Sequence, residues 1–137
     1  MAALVIAIGN PQRRDDGVAH YVPIPPGVEK RAVLQLTPEI AAEIVPYNPV
    51  VFVDADVAIE QLRMEAVVGT PTPSPLTHVS KPAEIVALAR TLFGFSGQAY
   101  ICRIPVIDLS EGDGLSQRTS QFAEQAAREI DSLVTAI

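Results

Sequence analysis

Three side chains stand where this chain could build a metal site: Asp16, Asp54 and His78. Asp16 closely follows the apolar run 4–8, and Asp54 directly follows the apolar run 50–53. His78 lies in a segment rich in proline, threonine and serine, a setting that on its own is typical of a surface imidazole. Two carboxylates and an imidazole suit a borderline divalent cation and leave positions open for water or substrate. The spacing predicts a three-ligand metal site if the fold brings these residues together.

The acidic candidates also have structural interpretations. Asp15 and Asp16 can order a turn or cap a short helix, because aspartate accepts hydrogen bonds from nearby backbone N–H groups. A carboxylate that ends a buried strand, as Asp54 does, costs free energy unless something pairs with it. That cost favours a functional interpretation of Asp54. Asp56 is typical of a solvated loop acid, and His20 is the weaker of the two histidines.

Alternating strand and helix patterns predict the elements that position these residues. Candidate strands cover residues 4–8, 32–36, 50–53, 62–68 and 99–106, and the fourth has the alternating pattern of an antiparallel edge strand. Helices are predicted after Thr37-Pro38, from Pro82 to Gly94, and from about Ser116 onward. The second helix is expected to bury Ile85, Leu88, Ala89 and Leu92. This order indicates one α/β domain over residues 1–137, in which the loops after parallel strands form the ligand crevice.

The connection after the first strand breaks the pattern. Parallel strands are usually joined by a helix, but this segment contains Pro23, Pro25 and Pro26. Proline removes a backbone donor and clashes with the preceding helical turn. The sequence therefore predicts that the first crossover helix is shortened or missing.

Composition limits the function classes. The 137 residues are 48% hydrophobic and carry a formal net charge of −6, which disfavours a nucleic-acid or anionic-membrane partner. The single cysteine, Cys102, lies in a strand pattern and is expected to be a buried structural thiol. No apolar run reaches the roughly 20 residues of a membrane span, and no secretory signal pattern is present, so we expect a cytoplasmic protein.

Several known phosphate and nucleophile motifs do not fit. Gly9-Asn10-Pro11 lacks the spacing of a phosphate-binding loop, and no Gly-x-Ser-x-Gly elbow occurs. A phosphoacceptor receiver domain would use Asp54 as its phosphorylated residue, but it requires a lysine after the fifth strand. The only lysines are Lys30 and Lys81, and Arg103, inside the fifth strand, does not replace them. The receiver hypothesis therefore ranks low.

Four short motifs in order resemble those of the hydrogenase maturation proteases, which process the large subunit of nickel–iron hydrogenases. They are Ile8-Gly9-Asn10-Pro11 through Asp15-Asp16-Gly17, Val51-Phe52-Val53-Asp54-Ala55, Leu76-Thr77-His78 leading into Pro82-Ala83, and Gly112-Asp113-Gly114-Leu115-Ser116. The resemblance implies a three-layer α/β/α sandwich around a mostly parallel five-stranded sheet.

The resemblance also implies a function. Asp16, Asp54 and His78 correspond to the family's catalytic, metal-contacting residues, and Asn10 and Asp15 are candidates for supporting them. The metal would be nickel already inserted in the precursor large subunit, or another divalent cation in its place, and cleavage would remove a C-terminal extension.

This chain departs from the family pattern at two positions and in one element. Arg14 stands where relatives usually have glycine, Ala19 stands near another family glycine, and the proline-rich stretch replaces a full helix. These differences keep a rival hypothesis open, namely a catalytically silent, metal-dependent module that binds the precursor without cutting it.

Overall fold

The computed structural model describes residues 2–69 and 80–136, and within them five strands form a single sheet in the order β2-β1-β3-β5-β4. All neighbouring strands are parallel except β4, which pairs antiparallel with β5 at the edge. The strands are β1 (Leu4–Ile8), β2 (Glu29–Val33), β3 (Val50–Asp56), β4 (Arg63–Ala66) and β5 (Ala99–Pro105). The helices are α1 (Val18–Tyr21), α2 (Ile40–Glu43), α3 (Pro82–Phe93) and α4 (Gln117–Ala136), and a 3₁₀ turn (Arg14–Gly17) precedes α1.

The interior strand β1 explains the three layers. Every residue of β1 is buried, and alternate side chains of a strand point to opposite faces of the sheet. Leu4, Ile6 and Ile8 pack with α2 and α3, whereas Val5 and Ala7 pack with α1 and α4. The predicted α/β/α sandwich is confirmed, because a parallel sheet buried on both faces needs helices on each side.

Helix α3 begins and ends where the sequence predicts. Pro82 occupies its first turn, and Gly94 ends it in the left-handed conformation that glycine adopts without a steric penalty. Ile85 and Ala89 are buried as expected, but Leu92 is 64% exposed, so its assignment to the core is wrong. Leu92 lies in the last turn, beyond the part of the helix that packs against the sheet.

Two predicted boundaries are also wrong. The second strand covers Glu29–Val33 rather than 32–36, because its charged, largely exposed residues pair through the backbone with β1 at the edge of the sheet. The third strand continues past Val53 to Asp56, because backbone pairing with β5 extends through Asp54 and Asp56. Hydrogen bonding to a neighbour, rather than an apolar pattern, sets both limits.

The first crossover is short, as predicted. The 3₁₀ turn and α1 contain four residues each, and the chain is extended at Val22, immediately before the proline-rich stretch. Residues 2–69 and 80–136 contain no helix that is long and apolar enough to cross a membrane.

The sheet order excludes the receiver architecture. Receiver domains have an all-parallel sheet in the order 2-1-3-4-5, whereas here β5 lies inside the sheet and an antiparallel β4 forms its edge.

Candidate functional site

The loop after β1 depends on two close backbone approaches. Gly9 has φ +144°, and a Cβ there would collide with the carbonyl oxygen of Asp16. A Cβ on Gly17 would likewise collide with Cα of Pro11. Only glycine fits at these positions. The two contacts fold residues 9–17 tightly over the carboxyl end of β1.

Asp16 is held at this edge by its own loop. Its Oδ2 accepts a 2.9 Å hydrogen bond from the backbone N–H of Asn10. The side chain of Asn10 in turn accepts a 2.9 Å bond from the N–H of Gln12, which orders the start of the loop. Asp16 remains partly exposed. The expectation that Asn10 supports Asp16 therefore matches the geometry, although the bond comes from the backbone of Asn10.

Asp54 lies near the end of β3, the strand beside β1 in the sheet, and the 3₁₀ turn that carries Asp16 contacts β3. The pKa of Asp54 is raised to about 6, mainly by burial. The Ala55 N–H and Arg103 lower it, and the negative charges of Asp16 and Asp56 raise it. A carboxylate whose pKa a neighbouring negative charge raises is a place where a bound cation would relieve repulsion. The structure thus brings Asp16 and Asp54 together.

Asp56 is not the solvated loop acid that the sequence suggests. It is the last residue of β3, its Oδ1 accepts a 2.8 Å bond from the N–H of Ala58, and its Oδ2 lies 3.8 Å from Nη1 of Arg103. The interpretation of Asp56 as a loop acid is wrong because β3 continues two residues beyond Asp54.

Asp15 points the other way from its neighbour and is fully buried. It accepts hydrogen bonds from the backbone N–H groups of Ile107 (3.2 Å), Asp108 (2.9 Å) and Ser116 (2.8 Å). The hydroxyls of Ser116 and Thr119 each donate a further bond of 2.9 Å. Burial alone would raise the pKa of Asp15, but these five donors outweigh it and lower the pKa. Asp15 therefore joins the loop after β1 to the start of α4.

His78 lies outside the described residues, so its place in the site stays a prediction. Ser80, where the description resumes, donates a 3.0 Å hydrogen bond from its N–H to the carbonyl of Leu36, just after β2. That carbonyl lies at the same carboxyl edge of the sheet as Asp16 and Asp54. Within residues 2–69 and 80–136, no group of three or more His, Cys, Asp or Glu residues is arranged to hold a metal ion.

The remaining candidates have structural roles. Nε2 of His20 lies 2.7 Å from the carbonyl oxygen of Gly9 and braces the loop after β1. Cys102 is buried in β5, and burial raises the pKa of its thiol to about 12. A thiol with so high a pKa is a poor nucleophile at neutral pH, which confirms the prediction of a structural cysteine.

Solved structures with the same architecture cover almost the whole chain. The hydrogenase-maturating endopeptidase HybD from E. coli superposes with a TM-score of 0.75 at 15% identity, over 99% of this chain and 93% of that protein. The chain has the fold of the hydrogenase maturation proteases. The NiFe hydrogenase maturation protease HybD from Thermococcus kodakarensis gives a TM-score of 0.65 at 14% identity, over 97% of this chain and 99% of the other.

An uncharacterized protein from Wolinella succinogenes is also similar, with a TM-score of 0.65 at 23% identity and coverage of 98% and 97%. No family model matches the sequence, and a search of curated proteins gives no match. The likeness to the maturation proteases therefore lies in the fold, while the site must be argued from its own residues.

Proposed function

We propose that this protein is an endopeptidase that removes a C-terminal extension from the large-subunit precursor of a nickel–iron hydrogenase. The observation that carries the proposal is the meeting of Asp16 and Asp54 at the carboxyl edge of a sheet with the maturation-protease fold. Ligands of open α/β sheets bind at this edge.

The residues fit the nickel of such a precursor. Nickel accepts imidazole and carboxylate ligands, and we assign Asp16, Asp54 and His78 to contact it. The raised pKa of Asp54 indicates that burial outweighs the stabilising effects of the Ala55 N–H and Arg103 on the charged form. A cation carried by the substrate would stabilise that charged form. Both described aspartates are partly exposed, so a partner protein can reach them.

The chain's own groups prepare the site. The N–H of Asn10 fixes the orientation of Asp16, and the N–H of Ala55 holds Oδ1 of Asp54 at 2.9 Å. Each bond leaves the second carboxylate oxygen available to the substrate. The nickel would supply Lewis acidity at the scissile peptide bond. Because recognition needs the metal, cleavage would follow only after nickel has been inserted.

Intact-mass measurement of nickel-loaded precursor tests the proposal. We expect the native protein to remove mass from the precursor's C-terminus. D16N, D54N and H78A should each slow this by more than about a hundredfold, since even the outer partners of metal ligands cost about ten- to a hundredfold. D113N is the matched control, because Asp113 is an exposed acid in the loop before α4, and we expect it to cleave normally.

Two results would contradict the assignment. If D16N, D54N or H78A cleaves the precursor as the native protein does, the substituted side chain does not contact the nickel. A stable complex between the native protein and nickel-loaded precursor, with no change in mass, would instead establish the silent binding module.

A further inference from the structure

Three charged residues form one row across neighbouring strands beside the candidate site. Arg63 of β4 is the antiparallel partner of Arg103 of β5, and Arg103 is the parallel partner of Asp54 of β3. Residues in register on adjacent strands point to the same face of the sheet. Arg63 and Arg103 therefore lie on the face that carries the Asp54 side chain.

The two arginines are poorly compensated. Like charges directly opposite each other on neighbouring strands destabilise a sheet. Arg103 is 44% exposed, and its acidic neighbours among the described residues are Asp54, its partner on β3, and Asp56, at 3.8 Å, which is longer than a hydrogen bond. Across residues 2–69 and 80–136, the Arg63 side chain makes no ion pair or hydrogen bond, and the Arg103 side chain makes no hydrogen bond.

We propose that Arg63 and Arg103 together bind a carboxylate of the substrate polypeptide, an inference that rests on the proposed function. Guanidinium groups hold carboxylates through paired, charge-assisted hydrogen bonds. One anion between the two facing arginines would offset the repulsion between them. Carboxylates are the anionic groups that an unmodified polypeptide offers, either on acidic side chains or at its C-terminus.

The distance between the strands predicts where along the substrate peptide the bound carboxylate lies. Neighbouring strands are about 4.8 Å apart, so a carboxylate midway between Arg103 and Arg63 would be roughly 7 Å from Asp54 across the sheet. An extended peptide advances about 3.3 Å per residue. The carboxylate would therefore lie about two residues from the bond positioned at Asp54, and it would fix which bond that is.

Binding of short fluorescent peptides tests the inference without nickel or cleavage. Three peptides share one neutral sequence: an amidated form with a central Glu, an amidated form with Gln in its place, and a Gln form with a free C-terminal carboxylate. We expect anisotropy titrations of the native protein to favour at least one carboxylate peptide over the amidated Gln peptide by about tenfold (about 1.4 kcal/mol). The preferred form distinguishes a side-chain carboxylate from a terminal one.

R63Q, R103Q and the double variant should reduce this preference, and the double variant should abolish it. R128Q is the control, because Arg128 is an exposed arginine on α4, which packs on the opposite face of the sheet; it should keep the preference. R63Q alone decides the question if the double variant does not fold, since Arg63 is exposed on an edge strand.

The inference is overturned if the native protein does not distinguish the three peptides, or if folded R63Q and R103Q keep the native preference. Arg63 would then serve only as the charge that protects an edge strand from pairing with other chains. Either result leaves the cleavage test of Asp16, Asp54 and His78 unaffected, so the two proposals fail separately.

Discussion

The surroundings of Asp15 and Asp54 have opposite effects on a carboxylate. Asp15 lies where the loop after β1 meets the start of α4, and Asp54 lies near the end of β3. Asp15 is completely buried, yet five donors lower its pKa. Asp54 is less buried, has one backbone donor, and its pKa rises to about 6 with burial as the main cause. Burial alone therefore does not decide the direction of a pKa shift, because the number of donors decides whether the charged form is stabilised. Asp54, the carboxylate with fewer donors, is the one that we propose contacts the substrate's cation.

The two adjacent aspartates show the same contrast at closer range. Asp15 and Asp16 are consecutive in the 3₁₀ turn, but one faces the start of α4 and the other faces β3. A single turn thus anchors the loop with one carboxylate and presents the next to the site. The following substitutions test the different roles of these carboxylates and of the turn, from the largest expected effect to the smallest.

The largest effect is expected from D15N. An asparagine amide would place N–H groups against donors that now bond to the Asp15 carboxylate, so several buried groups would lose their acceptor. We expect the free energy of unfolding in urea to fall by at least about 3 kcal/mol. D16N is the matched neighbour and should change stability by less than about 1 kcal/mol, because Asn can still accept the bond from the N–H of Asn10. Equal losses in the two variants would contradict the anchoring role of Asp15.

D54N is expected to have a smaller effect of the opposite sign. Because the pKa of Asp54 is raised from 3.8 to about 6 on folding, the stability that this group contributes is present below pH 3.8 and lost as the pH rises through about 6. Asparagine is neutral at every pH, so D54N should not lose this stability. The stability of D54N relative to the native protein should therefore rise by about 1–2 kcal/mol from pH 4 to pH 8, a value that allows for the partial exposure of Asp54.

Urea unfolding at the two pH values measures this difference. D113N serves as the control for the loss of one acidic side chain, because Asp113 is exposed. If the stability of D54N relative to the native protein is the same at pH 4 and pH 8, or lower at pH 8, the raised pKa of Asp54 is contradicted.

The smallest effect is expected from substitutions of Arg14, the first residue of the 3₁₀ turn that carries Asp15 and Asp16. Its φ of +42° is left-handed, a conformation that costs a residue with a Cβ about 1 kcal/mol. Contacts with Gly112, Asp113 and Asp108 hold it there. R14A keeps the strain and loses the side-chain contacts, whereas R14G loses both. We therefore expect R14G to be about 1 kcal/mol more stable than R14A, measured by thermal unfolding, and the reverse order would contradict the strain.

The sequence alone determined those elements whose signals lie within a few neighbouring residues. The continuous apolar run of β1, the Pro82 and Gly94 limits of α3 and the proline-rich stretch each act within a few residues, so the strand, the helix and the short crossover were all predictable. The position of Asp54 after a buried run also marked it as a candidate, since a carboxylate is costly there.

Tertiary structure alone decided which carboxylates meet and which are satisfied. Asp15 finds its partners 92 to 104 residues later in the chain, at Ile107, Ser116 and Thr119, and no local pattern carries that pairing. The row of Arg63, Arg103 and Asp54 likewise exists only through the register of three strands. Sequence supplied the acidic groups, whereas their ionisation and roles depend on the donors and charges that folding places around them.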